Sequence, residues 1–312
     1  MCDTFFWNVR GINEVSKHRP LANWISSKPV SFGALLETHV REPSINHILS
    51  TIAPNWSCIA NYDHSDLGKI WIIYKSPTKV RLLFEDLQSI TVEVTLDSGE
   101  SFIYTAVYAS NDYDTRKELW ISLRDTFSSF NLSSRPWMVI GDFNEILSPT
   151  ETSNPAIFRT TLAMRNFGDC LAEVGLFDLP FQGPAFTWTN HQPSSPIGKK
   201  LDRCLVNGNW LLKFPTSHCS FEAPLFSDHT PCAINLITKP PDYGTRPFRF
   251  YNMMLKHPSF LETLKEAWQQ SEDTVSSLSS FCHKLKGMKR PMKTLCKDKY
   301  SGIEKKSKGG RG

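Results

Sequence analysis

Eight apolar runs of strand length, spread from residue 4 to residue 238, constrain this chain more than any other feature of it. They are TFFWNV, SFGALLE, KIWIIYK, ITVEVTL, SFIYTAVYA, WMVIGDF, KLDRCLV and CAINLIT. In ITVEVTL the apolar residues Ile90, Val92, Val94 and Leu96 alternate with polar ones, as a half-buried antiparallel strand requires. LDSGES, between that run and the next, is a hairpin turn signal. Helical patterns intervene at KHRPLANWISS, DTRKELWISLRDTF and RTTLAMRNFGDCLAEVG. In the last, Leu162, Phe167, Leu171 and Val174 fall on or near one face, and Gly175 suits the C-terminal stop. Strands and helices mixed in this way predict an α/β fold, a two-sheet core covered by helices.

TKPPDYGTRP is rich in Pro and Gly and predicts a boundary. The expected organisation is a main domain over 1–238, a linker over 239–247, a helical extension over 248–300 and a basic disordered tail over 301–312. In the extension, PSFLETLKEAWQQ reads as a short amphipathic helix. A second stripe follows at Val275, Leu278, Phe281, Leu285, Met288, Met292 and Leu295. Pro291 interrupts it, which predicts a kink or two shorter helices. Lys284, Lys286, Lys289, Arg290 and Lys293 read as a solvated face, with phosphate binding as the alternative.

Exclusions narrow the function. No apolar run reaches membrane length, and MCDTFFWNVRGIN lacks the regions of a signal peptide, so an intracellular chain without a cleaved leader is expected. Eight cysteines are scattered without CxxC spacing, which argues for reduced thiols rather than a zinc site or disulfides. A net charge of +4 does not by itself indicate a nucleic-acid binder. The positive charge gathers after residue 283.

Several strand runs end in polar residues that a core would not choose. These are Asn8, Glu37, Tyr108, Asp142 with Asn144, Asp202, and Asp228 with His229 in FSDHTPC, which reads as the start of a buried strand. Singly each has an ordinary reading: a turn asparagine, a solvated strand end, a β-turn in GDFN, a surface ion pair of Asp202 with Arg203, a structural histidine. Together they are hard-oxygen and hydrogen-bonding groups. Such a set suits Mg²⁺, with Mn²⁺ as the alternative, bound loosely so that water and substrate phosphate complete its shell. There is no Walker loop, no GxSxG elbow and no cysteine in a nucleophile's setting. What remains is hydrolysis of a phosphodiester by a positioned, metal-assisted water.

The order and spacing of WN, LLET, VYxxN, GDFN, LDR and SDH resemble the endonuclease/exonuclease/phosphatase family. WNVRGIN, LGKIWIIY, GDFNEIL, GPAFTWTN and FSDHTPC are similar in particular to the apurinic-like endonuclease domain of plant LINE-type (non-LTR) retrotransposon polyproteins. The likeness covers roughly residues 4–238, and PFRFYNMMLKHPSFLETLKEAW is similar to the segment that follows this domain. The chain stops before any Tyr-x-Asp-Asp motif, so the resemblance implies a fragment or truncated copy lacking reverse transcriptase.

The resemblance implies two stacked mixed sheets flanked by helices, a four-layer α/β sandwich with its site where strand ends converge. It makes Glu37 the main Mg²⁺ ligand with Asn8 beside it. Asp142 takes a proton from the attacking water, steadied by Asn144. His229 binds the scissile phosphate, Asp202 holds that histidine protonated, and Tyr108 contacts phosphate. Asp228 lies near the metal or supports the water. Arg10 stands where repair-type apurinic endonucleases carry an acid, and Lys69 stands where arginine is common in the retrotransposon subgroup. Trp188 has two readings, a packed strand-end aromatic or a DNA contact. The implied protein is a monomer, a nuclease on DNA with no membrane association, nuclear if it acts on chromosomes. Phosphatases and RNA nucleases share the fold and are the alternatives, with a catalytically silent relic as a third.

Overall fold

The computed structural model describes residues 3–236, 258–270 and 277–300. The chain divides into two compact units, Met1–Pro240 and Pro241–Gly312. The expected linker over 239–247 and tail over 301–312 lie outside the described residues, as does Val275.

In the first unit, β1 (Asp3–Asn8), β2 (Val30–Leu36), β3 (Ser57–Ala60) and β4 (Ile70–Tyr74) belong to one sheet. The chain then builds a second sheet with β5 (Lys79–Glu85), β6 (Ser89–Thr95), β7 (Ser101–Tyr108), β8 (Trp137–Asp142) and β9 (Phe177–Asp178). β10 (Phe181–Gln182) returns to the first sheet, and β11 (Trp188–Thr189) pairs with β12 (Gly198–Lys199) as a separate ribbon. β13 (Asp202–Val206) joins the second sheet, while β14 (His218–Phe221) and β15 (Cys232–Asn235) complete the first. The first sheet runs β10-β14-β15-β1-β2-β4-β3 and the second β5-β6-β7-β8-β13-β9.

Three buried apolar layers hold this arrangement. Between the sheets, Phe6, Phe32, Ala34 and Ile72 meet Ile90, Val92, Tyr104, Met138 and Ile140. On the far side of the first sheet, Phe5, Trp7, Leu35 and Trp71 pack on α1 (His18–Ser26) and α2 (Ile45–Ile52). Behind the second sheet, Val107, Trp137 and Val139 pack on α3 (Tyr113–Ser129) and α4 (Leu162–Val174). The chain is therefore a four-layer α/β sandwich. A short α5 (Gly208–Lys213) follows β13, and Trp210 from it enters the central layer. Gly175 closes α4 with a left-handed φ of 67°. Leu162, expected on the buried face of α4, is exposed, because Met164 takes the inward position at the first turn.

Strand alternation places the polar residues. In β1, Phe6 faces the central layer, so Asn8, two residues on, points the same way. The same period carries Ile140 to Asp142 and Cys204 back to Asp202. Register brings these ends together. Asn8 lies opposite Leu36 in the parallel β1–β2 pair, Tyr108 opposite Asp142 in parallel β7–β8, and Asp202 opposite Asp142 in antiparallel β8–β13. Gly141 lets β7 and β8 close up: its φ is +136°, and a Cβ there would sit 2.0 Å from the Val107 carbonyl oxygen.

In the second unit, α6 (Phe260–Gln269) and α7 (Leu278–Tyr300) share a small cluster of Phe260, Leu264, Met292 and Leu295. α7 continues through Pro291 rather than splitting into two helices. A proline deletes a single N–H donor, a loss that one helix can absorb. No helix among the described residues is long and apolar enough to cross a membrane. The described cysteines 58, 170, 204, 219, 232 and 282 are free.

Candidate active site

The converging strand ends surround a cavity of about 420 Å³, lined by Arg10, Glu37, Tyr108, Asp142, Asn144, Trp188 and His229 together with Asn111, Arg116, Glu145, Lys199 and Leu201. Four of its neighbouring residues sit in the left-handed region without being glycine: Arg10 (φ 50°), Glu37 (φ 54°), His39 (φ 54°) and Asn144 (φ 47°). Such backbone costs of order 1 kcal/mol or more per residue and persists only where surrounding contacts impose it. Here it is imposed by Arg10 N donating to Asn8 Oδ1 (3.1 Å), Gly11 N to Glu37 O (2.7 Å) and Asn144 N to Asp142 Oδ1 (2.9 Å). Glu37, one residue past β2, is out of phase with inward-facing Ala34 and Leu36, and its left-handed turn ends the strand.

At the centre, Asp142 is buried and its Oδ2 accepts from Asn8 Nδ2 at 2.9 Å. The same amide nitrogen donates to Glu37 Oε2 at 3.0 Å, so Asn8 ties the two acids together through nitrogen. His229 stands with Nδ1 2.9 Å from Asp202 Oδ2 and Nε2 3.7 Å from Asp142 Oδ2. All three members of this chain are essentially inaccessible. Burial alone would lower the His229 pKa, but Asp202 and Asp142 outweigh it and raise it to about 9. Burial pushes Asp142 up to about 7, with Asp202 adding to the rise and His229 opposing it. Burial and then the charges of Glu37 and Asp142 push Tyr108 above its ordinary range, so it remains a phenol and a donor.

The segment carrying Asp228 and His229 is a loop preceding β15, not the start of that strand. It is pinned by Ser227 Oγ donating to Asn8 O (2.7 Å), Trp7 Nε1 to His229 O (3.1 Å) and Thr230 N to Thr187 O (2.8 Å). Asp228 Oδ2 accepts from Trp188 Nε1 at 2.9 Å, and its Oδ1 lies 3.3 Å from Arg10 Nε. Arg10 also approaches Glu37 Oε1 at 3.5 Å. Trp188 is half-buried at the cavity rim, with Lys199 Nζ 5.8 Å above its ring. Lys69 is displaced from the main cavity. It stands 5.7 Å above the Tyr108 ring and lines a neighbouring recess with Tyr108 and Asn111. Asn144 reaches Asp142 with its backbone N–H, while its side chain donates to Ala109 O at 2.7 Å.

The suggested ion pair of Asp202 with Arg203 does not form. Arg203 points to the opposite side of β13, fully buried, and pairs with Asp178 (2.7 Å) and Glu151. Sequence reasoning also passed over Arg116, which donates to Glu145 Oε2 (2.6 Å) and Ser110 O (2.8 Å) in the cavity wall. Asn111 lay inside the VYxxN motif without a role assigned to it.

The donor set fits a divalent cation. Glu37 and Asp142 present carboxylates to the cavity, and the buried Oδ1 atoms of Asp202 and Asp228 have no hydrogen-bond partner. Asp142, Asp202 and His229 also offer ligand atoms within 4.8 Å of one another, a group that could bind a metal. A protonated imidazole has no lone pair to give, however, so the Glu37–Asp142 side is the better place for a hard ion.

A model of the endonuclease/exonuclease/phosphatase family matches residues 5–229. No curated protein matches the sequence. Among solved structures, the endonuclease domain of TRAS1, a telomere-specific non-LTR retrotransposon, is 13% identical with a TM-score of 0.59, covering 76% of this chain and 99% of that one. The AP endonuclease LMAP from Leishmania major is 13% identical with a TM-score of 0.60, covering 74% of this chain and 86% of that one. A mannosyl-6-phosphatase from Bacteroides thetaiotaomicron is 14% identical with a TM-score of 0.52, covering 76% and 100%. At these identities the likeness is one of fold.

Proposed function

Because this chain belongs to the endonuclease/exonuclease/phosphatase family, we propose that it is a Mg²⁺-dependent DNA endonuclease that nicks one strand and leaves a 3′-hydroxyl. The observation that carries this reading is the buried Asp202–His229–Asp142 chain abutting the Asn8–Glu37 pair at the floor of an open polar cavity.

Glu37, with Asn8 beside it, would hold the cation, which when bound supplies positive charge to the phosphate oxygens. Asp142, raised to about 7, is matched to accepting a proton from water near neutral pH. Asn8 and Asn144 fix its two oxygens. His229, protonated through Asp202, aims a charged N–H at the phosphate and offsets the charge that develops there. Tyr108 donates a further hydrogen bond. Water oxygen attacks phosphorus, its proton passes to Asp142, and the P–O3′ bond breaks as the departing O3′ takes a proton from solvent water, leaving a 3′-hydroxyl and a 5′-phosphate.

Arg10, Lys69 and Trp188 flank this centre and are suited to the DNA backbone and bases. The likeness to a non-LTR retrotransposon domain supports a retrotransposon-derived nuclease; such a nuclease would act in the nucleus on chromosomal DNA. The chemistry is assigned to residues 1–238, with the rest an appendage. Nicking of supercoiled plasmid with Mg²⁺, and its loss with EDTA, tests the reading; end analysis of the nick identifies the hydroxyl. Release of phosphate from monoesters by a protein that leaves plasmid intact would replace it with the phosphatase alternative.

A further inference from the structure

Two carboxylates, Glu37 and Asp228, stand on either side of one guanidinium beside the cavity. Arg10 Nη1 is 3.5 Å from Glu37 Oε1, and Arg10 Nε is 3.3 Å from Asp228 Oδ1. The other Asp228 oxygen accepts from Trp188 Nε1 at 2.9 Å. Asp228 Oδ1 is buried without a hydrogen-bond donor, so the ion pair with Arg10 is what compensates it. The Arg10 side chain starts from a left-handed residue whose N–H is fixed on Asn8 Oδ1 at 3.1 Å. Its position is thus set by the same residue that joins Glu37 to Asp142.

We propose that Arg10 is the resident second cation of this site, occupying the space between Glu37 and Asp228 and limiting the protein to one divalent ion. The inference rests on the metal-dependent reading above. A second ion between these acids would meet the guanidinium at close range and be repelled by it. One ion at Glu37 leaves Arg10 paired with Asp228, so both carboxylates keep a partner.

The test is titration of the DNA-free protein with Mn²⁺, followed by calorimetry and by the electron paramagnetic resonance of free Mn²⁺. Wild type should bind one ion. Arg10→Asn, whose new residue tolerates left-handed backbone, should bind two, the first at least roughly fivefold more tightly, as removal of one nearby like charge requires. Arg10→Lys keeps the charge and should bind one. Thermal melts establish that each variant is folded, and the wild-type count stands even if Arg10→Asn does not fold. Two ions in wild type, or a single ion of unchanged affinity in folded Arg10→Asn, would overturn the proposal. No ion in any form would overturn it together with the metal-dependent reading, and nicking that survives EDTA would identify that second failure separately.

Discussion

Replacing Asp202 with asparagine should move the alkaline limit of activity by more than two pH units. The carboxylate lies 2.9 Å from His229 Nδ1 in a site closed to water and is the largest influence holding the histidine pKa at about 9. A charge pair about 4 Å apart at an effective dielectric near 20 interacts by about 4 kcal/mol, equivalent to about three pK units, an upper bound here. Asp142, 3.7 Å from Nε2, remains and retains part of the rise, while burial works against it. The histidine should therefore fall to near its ordinary value of about 6.5. In the proposed mechanism the active form is protonated, so activity should be lost as pH climbs through the histidine's pKa. At pH 7.5, a pKa of about 9 leaves nearly all molecules active, whereas about 6.5 leaves roughly a tenth. Loss of orientation adds to this tenfold deficit. His229→Ala removes the donor altogether, and the double variant should lose far less than the product of the single losses, because the two act as a unit. Single-turnover nicking across pH for wild type, both singles and the double measures all of this. Independent losses with an unmoved alkaline limb would refute the pairing as a catalytic device.

Asp142→Ala should reduce nicking by roughly 10²–10⁴ while the protein stays folded, because it deletes the proposed proton acceptor; near-normal rates in a folded variant would remove Asp142 from the mechanism. Glu37→Gln should raise the Mg²⁺ concentration at half-maximal activity, since a neutral amide is the weaker ligand for a hard cation, and an unshifted midpoint would exclude it as a ligand. A chain cut to residues 1–247 should retain full activity, as every residue assigned to the proposed chemistry lies within residues 1–238; soluble but inactive protein would contradict this. Gly141→Ala should cost about 3 kcal/mol or more, read as a lowered Tm, because the added methyl meets the Val107 carbonyl and the backbone is left-handed.

The candidate site was readable from the sequence wherever a polar residue merely continued an inward alternation. Asn8 follows Phe6, Asp142 follows Ile140, and Asp202 precedes Cys204, each at a spacing of two. A period of two survives in the primary sequence, so these strand ends could be located without coordinates. What escaped depends on loops. That Asp228 would lean on Trp188 and Arg10 is set by how the 187–189 segment meets 228–230, which no local pattern encodes. Arg116 enters the cavity wall from the first turn of α3, Lys199 from the short β12 and Glu145 from the loop after β8, none of which continues an apolar run. The helix INHILSTI is short enough for its apolar residues to suit strand or helix, and β3, β5 and β14 lack an uninterrupted apolar run. Arg203 seemed a surface partner because its acids, Glu151 and Asp178, lie far from it in sequence.

The first sheet takes its strands from both ends of the domain: β1 begins at residue 3, yet its neighbour β15 ends at residue 235. During synthesis every acid from Glu37 to Asp202 emerges before His229, but the imidazole can reach Asp202 and Asp142 only when the last strand docks beside the first. A nascent chain that has not reached residue 229 therefore carries the carboxylates without their histidine. On the proposed reading, cutting power arrives in one step, when β15 docks beside β1.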